Sequence, residues 1–322
     1  MKAIVYTGYG SADVLQCVDV ETPAPKDDQV LIKVRASSVN APDWRIMSGN
    51  PAVMRLMFGL RKPRIRPGMD VAGRIEAVGK NITQFKPGDE VFGCAKGSFA
   101  EYACSRESAI AIKPANVTFE QAACVGVCGL TALQGLRNKG NLQPGERVLV
   151  NGASGGVGTF AVQVAKALGA HVTAVCSAAN LEQARALGAD RVIDYNQEDF
   201  TKQTQRYDII FDCVGSHPAS EYRAVLSPTG ICVMAGVPHS MKMTGLLKHM
   251  LLPLVLSRAG KQKFSPFMAK INKADLSTLA GFMENGKLAP AIDRRYPLNE
   301  TAEAMRYVDT GHARAKVVIT VP

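Results

Sequence analysis

No two of the eight cysteines stand in a CxxC spacing, and none shares a zinc-type spacing with the five histidines, His171, His217, His239, His249 and His312. That argues against a zinc knuckle and against a disulfide framework. Cys17, Cys94, Cys104, Cys124, Cys128, Cys176, Cys213 and Cys232 are scattered. Several sit inside apolar runs, where a thiol packs as a small hydrophobe, so reduced structural thiols are expected. Aromatic residues are scarce at 6%, with one Trp. No basic motif is interleaved with aromatics, and no nucleic-acid partner is expected. Long apolar runs are lacking too: the longest, Leu246 to Leu256, is broken by Lys248, His249 and Pro253 and is too short to cross a bilayer. The start, Met1 to Val5, runs straight into a strand-like pattern without the apolar core of a secretory leader. A soluble, cytoplasmic protein is the expectation.

What is present is an ordinary globular balance, 47% hydrophobic and 20% charged, over 322 residues. That length suggests two domains. Acid is in deficit: the formal charge is +10. The excess gathers in two stretches. One holds Arg45, Arg55, Arg61, Lys62, Arg64 and Arg66; the other holds Lys242, Lys248, Arg258, Lys261, Lys263, Lys270 and Lys273. Each stretch can be a solvated face, an attractor for a phosphorylated cofactor, or a peripheral contact with an anionic membrane surface.

The first third reads as short strands, at Val30–Ala36, Val71–Val78 and Glu90–Phe92, separated by turn signals such as Arg66-Pro67-Gly68 and Lys86-Pro87-Gly88-Asp89. From about Ala123 strands alternate with helices. The strands are Arg147–Val150, His171–Cys176, Arg191–Asp194, Tyr207–Phe211 and Gly230–Met234; the helices are Gly156–Leu168 and segments near 181–187 and 219–226. Such alternation predicts an α/β fold with a parallel, doubly wound sheet. The tail, Ala315–Val321, is a strand outside that alternation and is free to return to the first domain. The segment Met241–Met268, apolar and basic, is expected to form helices that serve as core, substrate pocket or membrane face.

The strongest motif is Val148-Leu149-Val150-Asn151-Gly152-Ala153-Ser154-Gly155-Gly156-Val157-Gly158, leaving an apolar strand and opening a helix. Ala153, Gly155 and Gly158 take the three small positions of GxGxxG, for the tight turn, the approach to a pyrophosphate and helix packing. Ser154, Gly156 and Val157 complete the loop at the helix N-terminus, whose N–H groups favour a diphosphate. The second strand of an NAD site usually ends in Asp or Glu, but here it runs Cys176-Ser177-Ala178-Ala179-Asn180. The missing carboxylate removes a repulsion against a 2′-phosphate, which Ser177, Asn180 and Tyr195 could meet with hydrogen bonds. NADPH is therefore favoured over NADH.

The whole chain resembles the quinone oxidoreductase branch of the medium-chain dehydrogenase/reductase superfamily. The likeness rests on Ser37-Ser38-Val39-Asn40-Ala41-Pro42-Asp43-Trp44, Pro67-Gly68-Met69-Asp70-Val71-Ala72-Gly73 and Gly88-Asp89-Glu90-Val91-Phe92-Gly93. It continues through Gly129-Leu130-Thr131-Ala132-Leu133, the glycine loop, Leu187-Gly188-Ala189-Asp190 and Ala313-Arg314-Ala315-Lys316-Val317-Val318. It implies a GroES-like β-rich catalytic domain at 1–122, a Rossmann domain at 123–285, a return at 286–322, and a homodimer.

Zinc-dependent relatives carry Cys where Asn40 stands, His-Glu where Met69-Asp70 stands, and a four-cysteine lobe after the Gly-Asp-x-Val element. Here Phe92-Gly93-Cys94 passes almost directly to Phe99-Ala100-Glu101-Tyr102. No zinc is therefore expected, nor ordinary alcohol oxidation, which needs a Lewis acid. The resemblance implies hydride transfer from NADPH to a small hydrophobic quinone, or to the activated C=C of an enone or enal. It sets Asn40 and Asp43 near the nicotinamide and Thr131 and Lys316 near the cofactor, with Asn40, Asp43 and Lys316 as the catalytic candidates. Val214, Ala235, Gly236, Val237 and His239 fall in loops where the family contacts it. On the residues alone, Asn40 could position a ligand carbonyl or be structural. Asp43 could hold a ribose hydroxyl or cap a helix beginning near Trp44. Lys316 could be a charge partner or a solvated strand-edge lysine, and the proton could come from water. The competing class is a catalytically weak NADPH-binding protein with a membrane-associated or structural role.

Overall fold

A computed structural model of the chain describes residues 1–236 and 260–322. The chain divides into two compact units, Met1–Leu130 with Lys270–Pro322, and Thr131–Ala269.

The first unit opens with the antiparallel pair β1 (Lys2–Tyr6) and β2 (Leu15–Asp19). It continues with β3 (Gln29–Ser38), helices α1 (Ala41–Ser48) and α2 (Val53–Phe58), and β4 (Asp70–Val78). Then come β5 (Glu90–Cys94), β6 (Tyr102–Arg106), β7 (Ile110–Ile112) and helices α3 (Phe119–Ala123) and α4 (Gly126–Leu133). Strand β3 alternates inward Val30, Ile32 and Val34 with outward Lys33 and Arg35, the period of two that a half-covered sheet requires. Its inward residues join Val71, Ile75, Val91, Phe99 and Ile110 in one core.

The second unit is a six-stranded parallel sheet. Its strands are β8 (Arg147–Asn151), β9 (His171–Cys176), β10 (Arg191–Asp194), β11 (Tyr207–Asp212), β12 (Leu226–Met234) and β13 (Lys263–Pro266). They lie in the order β10-β9-β8-β11-β12-β13. That is the doubly wound order, with its switch point between β8 and β11. Helices α5 (Gly156–Ala167), α6 (Leu181–Ala186) and α7 (Ala219–Val225) connect the strands.

The chain then returns to the first unit through α8 (Lys273–Glu284), β14 (Ile292–Pro297), α9 (Thr301–Asp309) and β15 (Lys316–Thr320). Strand β15 pairs antiparallel with β3, so the tail does go back to the first sheet.

Three details differ from the sequence reading. The units change over at 130/131 and 269/270, rather than 122/123 and 285/286. Helix α8 buries Leu276 and Leu279 against β7 of the first unit. Within the segment expected to be helical, residues 263–266 form β13, because Phe264 is buried and the backbone pairs with β12. Helix α1 begins at Ala41, not near Trp44, because Asn40 already stands at its N-cap.

A buried polar cluster and a glycine loop

In the first unit, three separate parts of the chain converge below its surface. Asn40 ends the turn after β3, Asp70 opens β4, and Lys316 opens β15. All three are buried, at 4%, 0% and 1% exposure. The Lys316 ammonium donates to Asn40 Oδ1 at 2.6 Å and to the Val39 carbonyl at 3.1 Å. It also lies 3.4 Å from both Asp70 Oδ2 and the Cys128 sulfur. The Asn40 amide nitrogen donates to Asp70 Oδ2 at 2.8 Å and to the Ser38 carbonyl at 3.1 Å. Both amide protons are thus engaged within the protein, and a ligand carbonyl would have to displace one. The amide orientation is fixed by chemistry: its oxygen must face the cation and its nitrogen the carboxylate.

Asp70 receives two further donors, the Ser38 hydroxyl at 2.7 Å and the Val127 N–H at 2.7 Å. Such saturation is what permits a carboxylate inside a core. Burial works against the Lys316 charge, but the facing Asp70 carboxylate and the hydrogen bond that the Cys128 sulfur accepts outweigh it, and the net shift is upward. Cys94, Cys124 and Cys128 are themselves raised by burial, so their sulfurs are neutral. The ion partner that holds Lys316 charged is therefore Asp70.

Asp43 faces the same region from the first turn of α1. Its carboxylate accepts the Asn40 N–H at 2.9 Å and the Gly68 N–H at 3.2 Å. Burial pushes its carboxyl up to about 7, although those two N–H bonds pull the other way. The helix-capping reading of Asp43 has this bond behind it. The solvated reading of Lys316 does not hold: the side chain is enclosed. Asp70 was not among the site residues inferred from sequence. The signal was there: a carboxylate at the head of a strand that is otherwise apolar on its inward positions.

The second unit carries the dinucleotide motif on the carboxyl end of β8, at the switch point. The residue that needs a left-handed backbone is Gly152, with φ +81°, one position before Ala153. Ala153 has no such requirement and is fully buried, which is why alanine stands there. A Cβ on Gly158 would lie 2.1 Å from the Gly152 carbonyl, so the helix can approach the strand only with glycine. A Cβ on Gly155 would meet nothing nearer than 3.6 Å. Gly155 caps α5 without any side-chain bond, leaving first-turn N–H groups to an anion. Ser154, Gly156 and Val157 are half-buried around that turn.

Past β9, Ser177 is half-buried and Asn180 buried, with Asn180 Nδ2 donating to Ser177 Oγ at 2.9 Å. Asn180 Oδ1 is buried without a hydrogen-bond partner. An orphaned acceptor fits a ribose hydroxyl; exchange of the amide's O and N would instead turn a donor outward, as a phosphate needs. Tyr195 is 60% exposed and Val214 41%. The turn carrying Val214 is held by Asp212, whose Oδ1 accepts the Val214 and Gly215 N–H groups and the Asn151 amide. Sequence reading missed Asn151 and Asp212, two polar residues ending adjacent apolar strands. Thr131, Ala235 and Gly236 are half-buried. Val237 and His239 lie outside the described residues, as do Lys242, Lys248 and Arg258. The observed turn and strand end therefore suit a dinucleotide.

Zinc suits the first unit poorly. Where the resemblance would set its ligands, Asn40 gives a neutral amide and Asp70 one carboxylate, with the Lys316 ammonium between them. Among the described residues no group of three or more His, Cys, Asp or Glu is placed to hold a metal ion. All eight cysteines are free thiols.

The alcohol dehydrogenase GroES-like domain family matches residues 26–115. The zinc-binding dehydrogenase family matches 187–319, and the alanine dehydrogenase/PNT C-terminal domain matches 126–219. A chloroplast envelope quinone oxidoreductase homolog of Arabidopsis thaliana is 35% identical over 341 residues, covering 99% of this chain and 98% of that one. An NADPH-dependent alkenal/one oxidoreductase of the same plant, chloroplastic, is 32% identical, covering 99% and 79%. Among solved structures, the quinone oxidoreductase from Coxiella burnetii superposes with a TM-score of 0.86 at 31% identity, covering 100% of this chain and 99% of that one.

Proposed function

The chain belongs to the quinone oxidoreductase-like family of the medium-chain dehydrogenase/reductase superfamily, and from that premise we propose a zinc-independent, NADPH-dependent reductase acting on a quinone or on the activated C=C of an enone or enal. The chain is an NAD(P)H-dependent oxidoreductase; the phosphorylated cofactor, the absence of zinc and the acceptor are the proposal. When bound, the reduced nicotinamide supplies the hydride.

The observation that carries the metal-free reading is the Lys316 ammonium, enclosed by Asn40, Asp70 and Cys128. It supplies from within the chain the positive charge that Asp70 faces. An acceptor whose reduction develops charge on an oxygen remote from the hydride-receiving carbon, as in a quinone or enone, does not need an alcohol oxygen to be polarised by metal. Asn40, Asp43 and Lys316 act as positioning residues: they fix the start of α1 against β4 and β15. No unengaged acid belongs to this cluster, and water provides the proton.

Two relatives' names, a quinone oxidoreductase homolog and an alkenal/one oxidoreductase, support these acceptor classes equally. For the cofactor, α5 and Gly155 would hold the pyrophosphate, and Ser177, Asn180 and Tyr195 the adenosine ribose and its 2′-phosphate. The absence of Asp or Glu from Ser177–Asn180 supports NADPH. Strand β13 pairs only with β12 among the described residues, which leaves an edge for the proposed homodimer.

The test follows NADPH and, separately, NADH absorbance with 9,10-phenanthrenequinone and with an α,β-unsaturated ketone, before and after chelator treatment. Chelator-resistant NADPH oxidation is expected. Loss of turnover with chelator, restored by zinc, would overturn the metal-free reading; binding without turnover on either acceptor would overturn the acceptor classes.

A further inference from the structure

Between Asp43 and Asp70 the sequence contains six Arg or Lys residues and no Asp or Glu. In the first unit this stretch builds α2 and the loop that follows it. The helix turns Met54 and Phe58, four positions apart, against the core. It turns Leu56 and Met57 the other way, and Leu60 follows just past the helix end, after Gly59. These three are exposed at 74%, 69% and 71%. Three of the most exposed large apolar side chains among the described residues thus fall within five positions.

Cations surround them. Arg55, Arg61, Lys62 and Arg64 are all exposed, and none forms an ion pair with a carboxylate among the described residues. A depression of about 350 Å³ is lined by Leu60, Arg61, Lys62 and Arg64. The surface is pinned in place. The Tyr9 hydroxyl donates to the Gly59 carbonyl at 2.5 Å, the Arg55 guanidinium lies 5.1 Å from the Tyr9 ring centre, and the Arg64 N–H closes on the Phe58 carbonyl at 2.7 Å.

An apolar tip rimmed by unpaired cations is costly in water and fits one environment closely: a bilayer interface with anionic headgroups. There the leucines and methionine enter the acyl boundary while the guanidinium and ammonium groups stay among phosphates. A solvated basic face would not need Leu56, Met57 and Leu60. A nucleic-acid face would use aromatics or hydrogen-bonding side chains at that tip rather than three aliphatic ones.

We propose that the α2 tip, Arg55 to Arg64, is a peripheral docking surface for an anionic lipid bilayer. The surface is independent of which acceptor the enzyme reduces, so the two readings stand or fall separately. Docking is reversible, because a few side chains at an interface give far less than a spanning helix.

The test is flotation of the protein with phosphatidylcholine vesicles, pure or containing phosphatidylglycerol, at low and high salt. Two variants accompany it, Leu56→Ser/Met57→Ser/Leu60→Ser and Arg61→Gln/Lys62→Gln/Arg64→Gln. Turnover of a water-soluble acceptor and the thermal midpoint confirm that each is folded. The wild type is expected to float with anionic vesicles only, and to be released by salt. The cationic variant should partition about a hundredfold more weakly, and the apolar variant at least about tenfold. Three results would overturn the proposal: no flotation of the wild type; flotation unchanged in the cationic variant; or full flotation of the apolar variant, which would mark a plain anion-binding face. Displacement from vesicles by duplex DNA, with DNA binding unaffected by the apolar changes, would assign the surface to nucleic acid instead.

Discussion

Lys316 Nζ rests 2.6 Å from Asn40 Oδ1, a contact between residues 276 positions apart that ties the last strand of the chain to the first helix. The bond orders Asn40 so that its amide nitrogen meets Asp70, and it places one buried cation against one buried anion.

Breaking that arrangement from one side leaves a bare charge. Lys316→Met should destabilise the protein by about 3–5 kcal/mol, the usual consequence of stranding a buried carboxylate. Combining it with Asp70→Asn should recover part of the loss, since the stranded charge is gone. Urea denaturation of the two singles and the double measures the coupling; strictly additive losses would show that the two groups do not act as a pair.

Asp43 sets a pH dependence. Its carboxyl is held at about 7 in the folded chain, against an ordinary value of 3.8. Between those values the native state keeps a proton that the unfolded state has released. The contribution of Asp43 to stability is therefore greatest at low pH and declines as pH rises from about 4 to about 7, at up to ~1.4 kcal/mol per pH unit. Asp43→Asn should lack this decline. Denaturation midpoints from pH 4 to 8 give the answer, and parallel curves for the two proteins would refute the assignment.

The glycine loop separates folding from binding. Gly158→Ala puts a methyl 2.1 Å from the Gly152 carbonyl and should displace α5 from β8, lowering both the thermal midpoint and NADPH affinity. Gly155→Ala meets only an ordinary 3.6 Å contact. It should leave the midpoint within about 1 kcal/mol of stability and weaken NADPH alone, if the pyrophosphate lies against that turn. Thermal melts and fluorescence titration distinguish the pair, and undiminished affinity in Gly155→Ala would remove the pyrophosphate from this turn.

The proposed preference for NADPH rests on the end of β9. Asn180→Asp introduces the carboxylate that an NAD site uses on the ribose hydroxyls and that repels a 2′-phosphate. The ratio of kcat/KM for NADPH to that for NADH should fall by at least about tenfold, on the scale of one hydrogen bond to a charged group. An unchanged ratio would mean that Asn180 does not face the adenosine ribose.

Much of this molecule is local information. The parallel strands Arg147–Asn151, His171–Cys176, Arg191–Asp194 and Tyr207–Asp212 lie where apolar runs bounded by turn residues set them. The glycine loop sits on a strand–turn–helix because only that context uses its spacing. The helix start at Ala41 was less legible, since Asn40 and Asp43 are both good cap residues and only the backbone bond between them chooses. Strand β13 was hidden because Lys263, Phe264 and Ser265 have no strong strand pattern; pairing with β12 makes them one.

The sequence by itself determined the two-unit plan and the dinucleotide loop, because these follow from periodicity, spacing and small residues at fixed offsets; the family came from the resemblance its motifs carry. Only the tertiary structure decided what Lys316 does. A lysine heading a C-terminal strand reads from sequence either as a charge partner or as a solvated cation. It becomes an internal counter-ion because β15 pairs with β3, and that pairing turns its ammonium toward Asn40, Asp70 and Cys128, where desolvation makes the facing carboxylate indispensable.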